Sequence, residues 1–304
     1  MCIRDSHPID IAVIRGRDMV NQTPAQPEYK YDWQNPDRKK FEIGRVVSET
    51  FKALLGYPVQ IFVLTFFGVG IPMMIVSLWP LLIGADQGIN LYDPNWIESF
   101  DWEGMLALFA GVYLIYILIS VVMIGALIHI SVKALSRQKV ILSEALKTGL
   151  RLFFPMLGLM IIYIFGVMVG FLLLIIPGVF IMLGWALAFN IRVVEGGSVT
   201  DALSRSWEIS KGYKRWLLLA YIIFTVLGAV IGLVFQIPVL FFGNSQMAFF
   251  EGGSTSFWIA NAIATGLTQM VTLALSYVGL TAAYMEVRRV REGLIIESVA
   301  DIFS

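Results

Sequence analysis

The chain reads as an all-α integral membrane protein, with six helices crossing the bilayer, three amphipathic helices on its cytoplasmic surface and both termini inside. Three observations predict this class. Hydrophobic residues fill 58% of the 304 positions and charged residues only 14%, with a mean hydropathy of +0.76. Soluble domains run at about 45–50% and about 25%, so the excess apolar surface has to face lipid. The apolar residues are gathered into stretches near the roughly 20 residues that a helix needs to cross a bilayer core. All 22 Lys and Arg then fall on one side of the map that those stretches define, and the side rich in Lys and Arg is the cytoplasm.

Residues 1–40 are polar, contain Pro24, Pro27 and Pro36, and lack the apolar core and small-residue cleavage site of a signal peptide. They are expected to form a disordered cytoplasmic tail. The opening Met1-Cys2-Ile3-Arg4-Asp5-Ser6 resembles a translated adaptor remnant, so residues 1–18 are expected to be non-native.

Residues 41–57 put Ile43, Val46, Val47, Phe51 and Leu54 on one helical face and Glu42, Arg45, Glu49 and Lys52 on the other, the pattern of a helix lying along a membrane surface. Pro58 stops it, and 59–83 is the first span, kinked at Pro72. The loop 84–104 holds Asp86, Asp93, Glu98, Asp101 and Glu103 without a Lys or Arg, and Trp96 and Trp102 suit headgroup depth. The second span, 105–132, returns to Lys133, Arg137 and Lys139. A second amphipathic helix fills 141–154, with Leu142, Ala145, Leu146, Leu150 and Phe153 opposite Glu144, Lys147 and Arg151, and Pro155 ends it. Spans three and four, 156–176 and 179–194, form a tight hairpin about Pro177-Gly178.

The third amphipathic helix has the clearest start. Gly196-Gly197 breaks the fourth span, Ser198 caps, and Asp201 completes a capping box. Val199, Ala202, Leu203, Ser206, Trp207 and Tyr213 form its less polar stripe; Asp201 with Arg205, and Glu208 with Lys211, are spaced for weak surface pairs, and Gly212 is placed to close it. Span five, 216–242, leads to a loop at 243–257 with Glu251 and no Lys or Arg. Span six, 258–287, ends at Arg288, Arg289 and Arg291, the membrane domain covers 41–290, and 291–304 is a cytoplasmic tail.

The chain repeats an order of parts three times: amphipathic helix, span, proline near the outer end, returning span. Glu144-Ala145-Leu146 matches Asp201-Ala202-Leu203, Gly166-x-x-x-Gly170 matches Gly228-x-x-x-Gly232, and Pro177 and Pro238 close their spans as Pro72 does less closely. The three units run in the same direction, unlike the inverted repeats of many secondary transporters. Both Gly-x-x-x-Gly motifs read as packing within one bundle.

Few residues point to chemistry. One cysteine, Cys2, and two histidines, His7 and His129, exclude a disulfide framework and a Cys- or His-rich metal site. Nucleophile-elbow, Walker and zinc-helix motifs do not occur. The sixth span carries Asn261, Thr265, Gln269, Thr272 and Ser276 along one face, and a polar stripe at that depth must meet protein or water. It reads as interhelical hydrogen bonding or as the lining of a polar cavity. At the inner end of the fourth span and on the third amphipathic helix, Arg192, Glu195, Arg205, Trp207 and Lys211 form a candidate headgroup or partner contact, and His129 reads as an interfacial residue. Asp101 and Glu103 lack the calcium-loop spacing.

The runs Ile176-Pro177-Gly178, Val194-Glu195-Gly196 and Ala202-Leu203-Ser204-Arg205-Ser206-Trp207-Glu208-Ile209-Ser210-Lys211-Gly212, with Phe41-Glu42-Ile43-Gly44-Arg45, Pro58 and Pro72, carry a resemblance. Over roughly 41–287 the chain resembles the membrane domain of bacterial glycerophosphoryl diester phosphodiesterases and related stand-alone membrane proteins of unknown function. The resemblance implies the membrane architecture. It does not imply the phosphodiesterase activity, which belongs to a separate soluble domain.

The expectation is a non-catalytic, multi-pass protein of the bacterial plasma membrane, without cofactor or metal, structural or regulatory in the envelope. Its partners would be membrane lipids and a membrane-protein partner or a second copy, with no nucleic acid. The alternative is a transporter or channel for a small solute using the polar face of the sixth span.

Overall fold

The computed structural model describes residues 40–82, 102–242 and 254–293. The expected tails and most of the two acidic loops, including Asp101 and Glu251, lie outside the described residues. Among the described residues the chain forms ten helices, besides a short 3-10 turn at Ile237–Phe242 that extends the ninth. These are α1 (Ile43–Gly56), α2 (Pro58–Ser77), α3 (Trp79–Leu82), α4 (Trp102–Leu135), α5 (Leu142–Arg151), α6 (Phe153–Leu173), α7 (Ile175–Val194), α8 (Val199–Ser210), α9 (Lys214–Gln236) and α10 (Thr255–Glu292). Six of them, α2, α4, α6, α7, α9 and α10, are long and apolar enough to cross a membrane. This is a multi-pass membrane protein.

Prolines and glycines set the joints, though not always where their positions alone predict. The backbone leaves the helix at Leu174, where φ is −167° and ψ 157°. The hairpin therefore turns three residues before Pro177, which becomes the third residue of α7. A first-turn residue has no helical acceptor for its N–H, so proline is accepted there. Pro155 behaves in the same way: α5 ends at Arg151, Leu152 breaks the chain, and Pro155 is the third residue of α6. In α2 the distortion is a π-helical stretch, Phe66–Gly70, just before Pro72, which widens the turn ahead of a residue that cannot donate. Gly196 and Gly197 adopt φ of 75° and 79°, a left-handed bend that glycine enters without steric cost.

The capping box at Ser198 and Asp201 forms as its spacing predicts, with bonds of 3.1 Å and 2.9 Å. Asp201 is committed there, and Arg205 turns to Glu195, Glu208 and Glu292 instead of Asp201.

α10 is the hub: α9, α4, α2 and α1 all pack on it. Helices α9 and α10 cross closely because a methyl group at Gly228 would come within 2.9 Å of Thr272, and one at Gly232 within 2.6 Å of Thr268. Helices α6 and α7 meet in the same way, through Gly170 on the backbone of Gly178 and Gly166 under the Trp185 ring. Both glycine pairs thus serve contacts inside the chain.

The three short helices α1, α5 and α8, expected from sequence to lie along the membrane surface, have protein neighbours. Each packs on a longer helix: α1 on α10, α5 on α4, α8 on α7. The larger core accordingly lies at one end of the molecule, with a smaller cluster of Val239, Phe257, Trp258 and Ala264 toward the other. Its buried residues run through Val121–Leu135, Leu183–Val194 and Ala274–Val290, whereas Leu106, Phe165, Leu172, Val230 and Phe241 are exposed toward the other end. His129 is buried against protein in this region.

Candidate functional site

The C-terminal end of α10 carries the densest polar chemistry among the described residues. The expected sixth span stops at Val287, but the helix continues to Glu292 and ends on Gly293 at φ 70°. Its last three turns place Tyr284, Arg288 and Glu292 on one face, four residues apart. Arg288 is only 5% exposed, yet its Nε donates to Glu292 at 2.9 Å and its Nη1 to the Tyr284 hydroxyl at 3.1 Å. Tyr284, fully buried, donates its hydroxyl to Glu195 Oε1 at 2.8 Å. Arg205 reaches the same two acids from α8, with Nε 3.3 Å from Glu195 and Nη2 on Glu292. Desolvation pulls the Arg205 pKa down, but the Glu292 and Glu195 carboxylates outweigh it and hold the guanidinium above its ordinary value.

A second cluster ties α10 to α1. Arg289 grips Glu286 through two bonds of 2.8 and 2.7 Å, and Glu286, 4% exposed, accepts the Glu42 N–H at 3.1 Å. Arg289 also donates to the Lys40 carbonyl at 3.2 Å. Beside it, Arg45 holds the Glu42 carboxylate at 3.0 Å and lowers its pKa. Ion pairs removed from water gain little net stability, because desolvation offsets the attraction. What the two clusters do is set where α1, α7 and α8 meet α10.

Between these clusters the surface opens into a basic cleft of about 600 Å³, lined by Lys40, Phe41, Lys211, Gly212, Tyr213, Arg215, Trp216 and Arg291. Four of those residues are cationic and none is acidic. Phe41 is the floor, stacked on Trp216 at 5.8 Å and leaning on Tyr213 at 6.1 Å. Arg291 is held at the wall by the carbonyls of Ile209 and Lys211, 3.4 and 3.2 Å from Nη1. Arg215 and Trp216 also line a neighbouring groove of about 480 Å³ whose other walls are Leu218, Leu219 and Ile222. A charged chamber thus adjoins an apolar one on the outer face of α9.

Of the five residues predicted at this end, the structure joins Glu195 and Arg205 and separates the rest. Lys211 lines the cleft. Trp207 faces α7, where the Lys214 ammonium sits 3.7 Å from its ring centroid and 3.3 Å from that of Phe180. Arg192 has its Nε buried without a hydrogen-bond partner among the described residues. The stripe of Asn261, Thr265, Gln269, Thr272 and Ser276 is partly buried along α10, with Thr272 against Gly228. A mainly apolar cavity of about 170 Å³ meets α10 on the flank of that stripe, at Leu273 and Tyr277.

Tyr284, Glu286, Glu292 and the cleft arginines were not singled out from sequence as site residues. A signal existed: Tyr284, Arg288 and Glu292 continue the helical spacing past the expected end of the span. Comparison with protein-family models, curated proteins and solved structures finds no match at any of the three levels.

Proposed function

We propose that this is a non-catalytic protein of the bacterial plasma membrane, structural or regulatory in the envelope, that acts by holding anionic phospholipid at its cytoplasmic face. The observation that carries the reading is the continuity of the basic cleft with the apolar groove through Arg215 and Trp216. A phospholipid has those two parts in that order. Each well-placed Lys or Arg contributes about 1 kcal/mol toward an anionic surface. The aromatic floor of Phe41, Tyr213 and Trp216 suits headgroup depth, where amphipathic rings collect.

The charge clusters beside the cleft fit a fixed receptor for lipid. They are intramolecularly satisfied, and a rigid surround holds the cleft cations apart without cancelling them. The resemblance to the phosphodiesterase membrane domain fits a protein whose role is in the membrane itself. The test is to purify the protein in mild detergent and identify the retained lipid. Enrichment of phosphatidylglycerol or cardiolipin over the bulk membrane supports the reading, and retention in bulk proportion counts against it.

A further inference from the structure

We infer that α6 and α7 form a re-entrant hairpin that enters the cytoplasmic leaflet and turns back inside it, leaving α2, α4, α9 and α10 as the segments that cross. This goes beyond the lipid-cleft reading and does not depend on it.

The first observation is what lies beside the last turn of α8. On one side, Ser206 Oγ donates to the Gly184 carbonyl at 2.8 Å, and the Trp207 ring closes over Gly184. On the other side, Arg291 donates to the carbonyls of Ile209 and Lys211. Arg291 belongs to the basic, inner end of α10, so Gly184 lies at that depth too. Lys214, the first residue of α9, confirms the level from a second direction by donating to the Phe180 carbonyl at 3.3 Å. A helix descending from the outer surface would not meet the cytoplasmic start of α9 only six residues after its turn.

The second observation is length. Where α5 packs on α4, a methyl at Gly149 would strike the Val122 carbonyl, and α1 packs along Ala282, Met285 and Arg289 of α10. Beyond those contacts, residues 102–121 of α4 and 255–281 of α10 remain to cross, about 30 Å and about 40 Å at 1.5 Å per residue. In α7 only 175–183 remain beyond Gly184, about 14 Å, against a hydrocarbon core of about 30 Å.

The third observation is the tip. Phe171, Leu172, Leu173, Leu174, Ile175 and Ile176 are all exposed, up to 85% at Leu172, and none is polar. The two sequence loops assigned to the outside are acidic, and one carries tryptophans; this turn has no group that would hold it among headgroups. Its backbone is nearly self-contained: Leu174 N–H donates to Gly170 and Gly178 N–H to Leu174, at 3.1 and 3.2 Å. Pro177 removes a further donor that a first turn leaves without an acceptor. Such a bend is tolerable in hydrocarbon. The occupant of the exposed tip is therefore the acyl chains of the cytoplasmic leaflet. The one-sided distribution of Lys and Arg is unchanged, because a re-entrant pair returns to the side it left.

The test uses single cysteines in the full chain with Cys2→Ser, reconstituted and also in intact and inside-out membrane vesicles, probed with a membrane-impermeant maleimide. Leu174→Cys replaces an exposed side chain; Phe180→Cys gives up the ring's contacts with Trp207 and the Lys214 ammonium but lies outside the buried core and leaves the Phe180 carbonyl in place for Lys214. Ser245→Cys, in the loop that the sequence assigns to the outside and beyond the described residues, and Lys139→Cys serve as the outer and inner references. Leu174→Cys should label from outside at least about tenfold more slowly than Ser245→Cys. Phe180→Cys should label from the cytoplasmic side within about tenfold of Lys139→Cys. Rapid labelling of Leu174→Cys from outside would overturn the inference, as would labelling of Phe180→Cys only from outside or not at all.

Discussion

Tyr284 donates its hydroxyl to Glu195 at 2.8 Å across 89 positions of sequence, and that bond fastens the C-terminal end of α10 to the joint between α7 and α8. Arg288 lies against both partners, 3.1 Å from the tyrosine oxygen and 3.7 Å from the carboxylate. Arg288→Ala leaves Glu195 and Glu292 without that cation. A loss of about 3 kcal/mol follows, at the low end for breaking a buried pair because Glu195 is partly wetted. Tyr284→Phe should cost about 1.5–3 kcal/mol, the range for a hydrogen bond to a charged group. Thermal unfolding of the two single variants and the double variant in detergent checks both values, and the double should lose less than the sum because the residues share one network.

Gly149 and Gly44 predict opposite outcomes for the same substitution. A methyl at Gly149 would sit 2.3 Å from the Val122 carbonyl, where α5 rests on α4. Gly149→Ala should destabilise by about 1–3 kcal/mol, the usual cost of overpacking. Nothing lies within 4 Å of a methyl at Gly44, so Gly44→Ala in α1 should stabilise by up to about 1 kcal/mol through helix propensity. Paired melting curves decide it.

Asp201 has its pKa lowered, first by the Ser198 hydroxyl and then by the Ser198 backbone N–H. A depressed folded-state pKa means that the capping box contributes stability above the ordinary carboxylate range and loses it as pH falls through the lowered value. Ser198→Ala should raise the Asp201 pKa toward its ordinary value and move the fraying of α8 to higher pH. Carboxylate NMR titration of the two proteins reads the shift.

The helices were largely legible in sequence because apolar runs of membrane length leave little ambiguity, and the start of α8 was legible because a capping box is a local device. The turn at Leu174 was not. Proline marks a break only to within a turn, since each residue of the first helical turn tolerates it, and Pro177 looks the same before a bend as inside one. The seat of the amphipathic helices was also hidden. A stripe such as Ala202, Leu203 and Ser206 fits a lipid surface or a protein neighbour, and only the packing on α7 distinguishes them. The cleft was least legible of all: Lys40, Lys211, Arg215 and Arg291 come from three separated stretches of chain, and their convergence depends on Phe41 stacking on Trp216.

Ionic strength should modulate lipid retention if the cleft cations provide the attraction. Surface charge interactions are screened over about 8–10 Å in ordinary buffer. Raising salt should therefore weaken retention of anionic lipid while leaving that of zwitterionic lipid unchanged, as read by the lipid content of protein washed at low and high salt.

The most direct measurement counts phosphatidylglycerol molecules retained by the protein under native mass spectrometry, in the wild type, in the Lys211→Glu/Arg215→Glu double variant, and in a Lys147→Glu/Arg151→Glu control on α5. The lipid-cleft account predicts that the cleft variant loses retained phosphatidylglycerol and that the control keeps it. Equal retention in all three proteins, or equal loss in the two variants, would contradict it.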